Sequence, residues 1–472
     1  MKPFAFLDRS HSVADIEYNR WLVPPAALAI HLCIGQIYAY SVFNKPMTRL
    51  LGITESSTQD WELTTLGWIF SIALFTLGAS AALFGKWLER VGPRKAMFAS
   101  ALCFAGGFFV SALGIHLHQI WLVYLGHGVI GGIGLGLGYI SPVSTLMKWF
   151  PDRPGMATGM AIMGFGGGAM IASPLAVSLM NNFQSTTSVG VAETFLVMGA
   201  IYLLFMMFGV FTVRVPAEDW KPKGWNPKAN TGQQKMITTA QVEADTAIRT
   251  PQFYLLFGVL MLNVTAGIGV LGQASVMIQE MFSETAVGTQ KAVSVAAAGG
   301  FVGLLSLFNM LGRFFWSSMS DKIGRKNTYN VFFLLGALLY FSIPSIGNAG
   351  SILFFVLCFG LIISIYGGGF ATIPAYLKDM FGTMQVGAIH GRLLLAWSAA
   401  AILGPVLINY LRAYQIESLQ IAPAQAYSFT MYIMGGLLLV GFLCNLLIKP
   451  VASQFHYTSK FKLEKSKSTS HE

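Results

Sequence analysis

The feature that most limits how this chain can fold is a series of long apolar segments separated by charged residues, proline or polar clusters. A helix needs about 20 apolar residues to cross a bilayer, and twelve segments reach that length. They are residues 21–46, 64–86, 95–115, 119–147, 154–180, 193–213, 252–278, 294–319, 328–347, 350–377, 388–411 and 426–448. The sequence therefore predicts an all-α membrane protein with twelve transmembrane helices.

The composition excludes several other classes of protein. Of the 472 residues, 54% are hydrophobic and 11% are charged, whereas soluble domains carry about 25% charged residues. The net charge of +10 does not indicate nucleic-acid binding, because the basic residues lie between apolar segments and form no patch. We expect no nucleic-acid partner.

The first 20 residues lack the apolar core of a signal peptide, so we expect the first helix to direct membrane insertion.

The basic residues are distributed unequally between the two sides of the predicted bundle. Of the 30 Lys and Arg residues, 24 fall in the two tails and in the loops that follow helices 2, 4, 6, 8 and 10. The opposite loops hold four: Lys45, Arg49, Lys291 and Arg412. Because cytoplasmic loops carry the positive excess, this pattern predicts that both termini are cytoplasmic.

One long polar segment divides the chain. We expect an N-terminal cytoplasmic tail (1–20), a first six-helix bundle (21–213), a cytoplasmic linker (214–251), a second six-helix bundle (252–449) and a basic tail (450–472). The tail has several lysines and serines and is expected to be solvated, with anionic lipid headgroups as possible contacts.

The two predicted bundles repeat each other at an offset of 232 residues. The matched pairs are Glu89 and Asp321, Gly92 and Gly324, Pro142 and Pro374, Gly155 and Gly387, and Gly159 and Gly391. A constant offset over four helices of each half indicates a parallel duplication. In such proteins the substrate site lies between the halves near the membrane midplane, and transport proceeds by alternating access.

Two loops and several helix motifs carry a family resemblance. The segments GKWLERVGPRK (85–95) and SDKIGRK (320–326) resemble the loop motif of the major facilitator superfamily. The first departs from it with Glu89 and Pro93, and Ser317 replaces a glycine before the second. The motifs GQIYAYSVFNKP, GYISPVSTLMKWFPDRPGMATG, RTPQF, GRFFWSSMSDKIGRK and YGGGFATIPAYLKDMFG are similar to those of the oxalate/formate antiporter family, relatives of the monocarboxylate transporters. The resemblance implies that the charged loops stabilise one conformation and do not contact substrate.

Arg313 is the strongest candidate for a substrate contact. Eight helical residues separate it from Asp321 at the membrane surface, which places it about 12 Å deep. A charge at this depth normally has a partner or lines a cavity. The predicted helix interiors contain no Asp or Glu, so an anionic substrate would supply the counter-charge by bidentate pairing.

The alternative is that the Arg313 side chain extends to the membrane surface or binds backbone carbonyls. Asn309, one turn earlier, is placed to orient the guanidinium, and the resemblance implies that this arginine holds a carboxylate.

The resemblance also implies an aromatic lining for the cavity, and Tyr hydroxyls can bond a carboxylate. The expected residues are Tyr38, Tyr40, Tyr139, Tyr366, Phe370 and Trp397, although most membrane aromatics only pack or anchor helices. Trp397 stands where the oxalate exchanger of the family has a lysine. With one deep cation, the site favours a monocarboxylate of the lactate, pyruvate or formate type.

The coupling ion is left open by the sequence. The monocarboxylate transporters have an Asp four residues before the helix 8 arginine, where this chain has Asn309. His31 and His127 can titrate near neutral pH, but a membrane histidine is more often a packed hydrogen-bonding group. Proton symport and anion exchange, including oxalate/formate-type dicarboxylate exchange, are both possible.

Other functions are less well supported by the residues. The run GGIGLGLG (131–138) lies within an apolar helix, so helix packing explains it better than dinucleotide binding. No metal-ligand spacing or catalytic constellation is found, and Cys33, Cys103, Cys358 and Cys444 lie apart in apolar segments. We expect no enzyme activity, no cofactor and no metal. A membrane protein that senses a carboxylate without transporting it would need the same pocket, so a sensor with the transporter fold stays an alternative. We expect a monomer in the inner membrane of a bacterium.

Overall fold

The computed structural model describes residues 5–217, 220–225, 236–238, 240–283, 293 and 295–457. The remaining parts of the predicted tails and linker lie outside the described residues. The described residues contain twelve long helices: α1 (Arg20–Met47), α2 (Leu63–Val91), α3 (Pro93–His116), α4 (Ile120–Trp149), α5 (Pro154–Phe183), α6 (Val191–Thr212), α7 (Pro251–Met281), α8 (Val295–Ile323), α9 (Arg325–Asn348), α10 (Ile352–Phe381), α11 (Val386–Ala413) and α12 (Ser428–Leu447).

This architecture confirms the predicted fold class. Eleven of the helices are long and apolar enough to cross a membrane, and α8, which carries Arg313, has 29 residues. Two helices change their winding along their length. Helix α1 continues as a 3-10 helix over Gly35–Phe43, and α4 contains a π-helical segment at Tyr124–Ile130. Such irregular turns commonly mark functional segments of a helix.

The two halves, α1–α6 and α7–α12, contact each other mainly through two helix pairs. Helix α2 packs along α11, and α5 packs along α8. At the 232-residue offset α2 corresponds to α8 and α5 to α11, so these two interfaces are one packing arrangement repeated. Arg313 on α8 therefore lies at the boundary between the halves.

The duplicated loop motif forms the same tight turn in each half. Gly92 connects α2 to α3 and Gly324 connects α8 to α9, with φ angles of 86° and 85°. A residue with a β-carbon rarely adopts such positive φ values. The pairing of these two glycines in the sequence thus reflects a backbone requirement that is present in both halves.

Acidic residues of these motifs cap helices of the opposite half. The Asp321 carboxylate accepts hydrogen bonds from the backbone N–H groups of Gly155 and Met156 at the start of α5, both at 2.8 Å. Glu89 accepts one from the backbone N–H of Gly387 at the start of α11, at 3.1 Å. A helix N-terminus attracts negative charge, so both contacts hold the halves together at one end of the bundle. The loops after α2 and α8 belong to the set of loops that carries most of the Lys and Arg residues. We therefore call the end of the bundle that holds the Glu89 and Asp321 contacts the basic end.

Candidate anion-binding site

Arg313 lies fully buried in the middle of α8. Its Nε donates to Asn309 Oδ1 at 3.0 Å, and its Nη1 donates to the backbone oxygen of Ile162 on α5 at 3.4 Å. Its Nη2 has no hydrogen-bond partner. No carboxylate of the described residues forms an ion pair with it. The guanidinium is thus positioned by a neutral amide and a carbonyl, with one nitrogen left free.

Two glycines provide the space that the Arg313 side chain occupies. A β-carbon at Gly166 of α5 would lie 3.0 Å from Arg313 Nε, and one at Gly367 of α10 would lie 3.1 Å from its Cγ. Both distances are shorter than an ordinary van der Waals contact. The glycine-rich runs of α5 and α10 therefore allow these helices to close around the arginine.

Aromatic rings from three helices surround the guanidinium. The Arg313 Cζ lies 5.1 Å from the ring centroid of Phe370 on α10, 5.5 Å from that of Phe165 on α5, and 6.0 Å from that of Tyr38 on α1. These distances fall within the range of cation–π attraction. The rings partly offset the cost of burying the charge without neutralising it.

Three further aromatic residues complete this group. The Tyr139 ring lies 5.2 Å from that of Phe370, and the Trp397 ring lies 5.6 Å from it. The hydroxyl oxygens of Tyr38 and Tyr366 are 3.4 Å apart. We call the whole group the central cluster: Arg313, Asn309, Tyr38, Tyr139, Phe165, Tyr366, Phe370 and Trp397. The structure thus brings seven of the eight predicted residues together.

Tyr40 is the exception, because the structure places it outside the central cluster. Its ring packs 4.6 Å from that of His127 and 5.9 Å from that of Phe43, inside the first half. Tyr38 and Tyr40 are two residues apart, and residues at this spacing point to different sides of a helix. The motif that contains both tyrosines therefore directs only Tyr38 toward Arg313.

Several buried polar atoms in the central cluster have no partner. They are Arg313 Nη2, the Tyr139 hydroxyl and Trp397 Nε1, and all three can donate a hydrogen bond. Leaving a buried donor unpaired costs about 1–3 kcal/mol. A small anion bound among these groups would satisfy them. Among the described residues, no group of three His, Cys, Asp or Glu side chains is arranged to hold a metal ion.

Comparison with known proteins identifies the family. The model of the Major Facilitator Superfamily matches residues 26–405 and 286–469. The chain belongs to the major facilitator superfamily. As a member, it is a multi-pass membrane transporter. Solved structures share this fold. The fucose:proton symporter FucP of E. coli matches with a TM-score of 0.62 and 12% identity, and the match covers 92% of this chain and 100% of FucP. The proton:xylose symporter XylE matches with a TM-score of 0.60 and 17% identity, and the match covers 92% of this chain and 95% of XylE.

Within the superfamily, curated relatives cover most of the chain. An uncharacterised transporter, YhjX of Escherichia coli, is 25% identical over 82% of this chain and 87% of its own. The oxalate:formate antiporter of Oxalobacter formigenes is 26% identical over 82% of this chain and 83% of the antiporter. The apicoplast pyruvate carrier 1 of Toxoplasma gondii is 24% identical over 81% of this chain and 82% of the carrier. These relatives confirm the resemblance to oxalate/formate antiporters.

The structure of this superfamily member also adds residues that sequence reasoning missed. Phe165 contacts Arg313 directly, as described above, and His390 on α11 contacts the Tyr139 ring with centroids 5.5 Å apart. His390 could have been found from the sequence, because His390 precedes the predicted site residue Trp397 by seven residues. Two helical turns bring both side chains to the same face of α11.

The two histidines considered from the sequence lie in different surroundings. His31 is in contact with the backbone oxygens of Ala161 at 2.5 Å and Tyr139 at 3.2 Å, so it connects α1 to α5 and α4 beside the central cluster. His127 packs within the first half against Tyr40 and Phe108. Of the two, only His31 contacts a member of the central cluster.

Proposed function

We propose that this transporter carries a small monocarboxylate anion of the lactate, pyruvate or formate type by alternating access. The single observation that carries the proposal is Arg313, a fully buried cation that has no acidic partner among the described residues and one free nitrogen. A carboxylate would pair with it, and the Tyr139 hydroxyl would donate to the same anion. A charged group at this depth of a membrane protein is otherwise costly.

The number of deep cations supports a monoanion as the substrate. Trp397 occupies the position at which the resembled oxalate exchanger carries a lysine, and its indole nitrogen is neutral. A second buried carboxylate without a charge partner would cost several kcal/mol. The named relatives include both an oxalate:formate antiporter and a pyruvate carrier, so both anion classes belong in any test of this proposal.

The membrane placement is part of the same proposal. We infer that the basic end faces the cytoplasm of a bacterium, that the protein lies in the inner membrane as a monomer, and that transport is proton symport or anion exchange. The excess of Lys and Arg at this end supports the orientation. In this orientation, the contacts of Glu89 and Asp321 close the cytoplasmic side.

The test is counterflow of labelled pyruvate, lactate and formate in proteoliposomes that contain the purified protein. We expect saturable exchange in the wild type and its loss in Arg313→Ala and Arg313→Lys, because lysine keeps the charge but not the planar fork of donors. Breaking a buried charge pair costs at least about 2 kcal/mol, or about thirtyfold in affinity.

Arg412→Lys is the matched control, since Arg412 pairs with Glu280 away from the central cluster and its replacement should leave exchange intact. Normal affinity in Arg313→Ala would exclude Arg313 as the binding group. Binding of these acids without exchange would identify a sensor with the transporter fold, and preferred exchange of oxalate would identify a dicarboxylate antiporter.

A further inference from the structure

A second cavity, of about 760 Å³, lies at the basic end of the bundle. Its walls come from the ends of α2 and α4, from the N-terminal tail and the start of the linker, and from the turn between α10 and α11. Pockets that bind small molecules commonly have volumes of about 300–1,000 Å³. The described residues that line this cavity include no member of the central cluster, so it is a separate candidate site.

The lining of this cavity is strongly basic. Its charged residues are Arg9, Lys86, Glu89, Arg90, Lys148 and Lys221. Lys148 pairs with Glu89 at 2.9 Å, and Lys86 pairs with Asp245 of the linker. Within the described parts of the chain, Arg9, Arg90 and Lys221 form no ion pair. Three cations on one concave surface therefore remain for an anion from solution.

The backbone holds two of these cations in place. Arg90 lies in the last turn of α2. Arg9 lies on the N-terminal tail, which Arg94 of α3 fixes by donating from Nη1 to the backbone oxygens of Phe6 at 2.8 Å and His11 at 3.1 Å. The tail thus presents Arg9 to the cavity in a defined position.

Two tryptophans of the linker, Trp220 and Trp225, add flat apolar surface to the cavity. The Trp220 ring packs edge to face on that of Trp149, with centroids 4.7 Å apart. Trp149 in turn donates from Nε1 to the backbone oxygen of Arg214 at 2.8 Å. The half-buried Trp225 stacks on no ring of the described residues. Its face is therefore available to a planar ring, and aromatic faces of this kind stack nucleobases.

We propose that this cavity binds an anionic phosphate compound that carries a planar ring, a ligand of the nucleotide class. The phosphates pair with Arg9, Arg90 and Lys221, because guanidinium and ammonium groups bind phosphate through charge-assisted hydrogen bonds. The base stacks on Trp225. This site is distinct from the transport site, and the proposal does not depend on which acid is transported.

A phospholipid headgroup carries the same charged group as a nucleotide. The cavity, however, is lined by the tail, the linker, a turn and helix ends, and these segments belong to the polar surface of the basic end. An acyl chain would need an apolar wall that continues to the lipid-facing sides of the helices. The lining therefore favours a soluble ligand.

The cavity crosses the boundary between the two halves. Arg90 and Lys148 belong to the first half, whereas Thr383, Met384 and Gln385 belong to the second. The Gln385 side chain is held there, since its Oε1 accepts from the backbone N–H of Ala244 at 2.8 Å. Opening of the basic end separates these walls. A ligand that fills the cavity therefore binds the closed conformation better and slows opening.

The first measurement compares the dissociation constants of ATP and tripolyphosphate for the purified full-length protein without Mg²⁺. Tripolyphosphate has a similar charged chain but no base. We expect Arg90→Gln to weaken binding of both compounds about threefold to tenfold. Trp225→Ala should weaken ATP binding about tenfold or more and leave tripolyphosphate binding unchanged. Retained tripolyphosphate binding also shows that the Trp225 variant has folded.

Lys322→Gln is the matched control, because Lys322 is an exposed lysine of the same end that does not line the cavity. It should bind both compounds as the wild type does. Absence of saturable ATP binding, or equal ATP binding in Trp225→Ala and Lys322→Gln, would overturn the proposal. Displacement of ATP by short-chain phosphatidylglycerol, but not by short-chain phosphatidylcholine, would assign the cavity to a lipid headgroup and overturn the nucleotide assignment.

The second measurement tests the effect on opening. Ser317 is buried where α8 meets α5, so thiol labelling of Ser317→Cys, in a protein without the four native cysteines, reports separation of the halves. We expect saturating ATP to slow this labelling severalfold, and Trp225→Ala to remove the effect at the same ATP concentration. A labelling rate that is independent of ATP would overturn the coupling to the closed conformation. Neither measurement requires a transported acid, so failure of this proposal is separate from failure of the proposed function.

Discussion

At the scale of single residues, the site consists of one cation, held in place by hydrogen bonds, and a few buried hydrogen-bond donors that have no partner. Arg313 is oriented by Asn309 and by the carbonyl of Ile162, and its free Nη2 is buried together with the Tyr139 hydroxyl. A hydrogen bond to a charged group contributes about 1.5–3 kcal/mol. Tyr139 should therefore contribute measurably to anion affinity if the substrate lies between these groups.

Replacing Tyr139 by phenylalanine tests this contribution. Tyr139→Phe keeps the ring contacts and removes only the hydroxyl, so we expect the dissociation constant for pyruvate to rise by about tenfold to a hundredfold. Tyr40→Phe is the control, because the Tyr40 hydroxyl is equally buried and unpartnered but the Tyr40 ring packs against His127, outside the central cluster. Equal affinity in the two variants would argue against a contact between Tyr139 and the anion.

At the scale of helices, the two halves are joined by carboxylates that cap helices of the other half. Asp321 accepts two backbone N–H groups at the start of α5 and also pairs with Arg325 at 2.6 Å. Glu89 accepts one N–H at the start of α11. These contacts exist only when the basic end is closed. They therefore stabilise this conformation relative to one in which α5 separates from α8.

Asp321→Asn should shift the protein toward opening of the basic end. Loss of a charge at a partly buried helix terminus costs up to about 2 kcal/mol, or up to about thirtyfold in the opening equilibrium. The readout is thiol labelling of Ser317→Cys, in a protein without the four native cysteines, since Ser317 is buried where α8 meets α5.

We expect Asp321→Asn to accelerate this labelling severalfold. Asp152→Asn is the matched control, because Asp152 pairs with Arg20 within the first half and its loss does not separate the halves. Equal labelling rates in the two variants would mean that the Asp321 caps do not control opening.

At the scale of the whole molecule, the asymmetry of charge predicts the orientation in the membrane. Most basic residues of the loops and linker belong to one predicted side of the bundle, so insertion with that side in the cytoplasm is favoured. Lys223 of the linker is exposed and is followed by Gly224, so it provides a cleavage site for trypsin between the two halves.

Sided proteolysis tests this orientation. We expect trypsin to divide the chain into two six-helix fragments in inverted membrane vesicles and to leave the linker intact in right-side-out spheroplasts. Cleavage of detergent-solubilised protein provides the control that the linker is accessible to the enzyme. Cleavage in intact spheroplasts would reverse the proposed topology.

The properties that depend on local chemistry could be predicted from the sequence alone. Runs of apolar residues must form helices in a bilayer, because each backbone polar group has to be satisfied within its own segment. The constant offset between Glu89 and Asp321 identified the duplication. The depth of Arg313 followed from counting along one helix, and the lack of an acidic counter-ion followed from the absence of Asp and Glu in the interiors of all twelve predicted helices.

Contacts between residues of different helices could not be predicted in this way and required the three-dimensional structure. The rotation of α1 directs Tyr38 toward Arg313 and Tyr40 away from it, and the change to 3-10 winding at Gly35 is not visible in the apolar pattern. Phe165 joins the central cluster and His390 contacts its member Tyr139, because α5 and α11 each present a particular face to the opposite half. Contacts between distant segments depend on helix rotation and on close packing at glycines, and neither is specified by the sequence of a single helix.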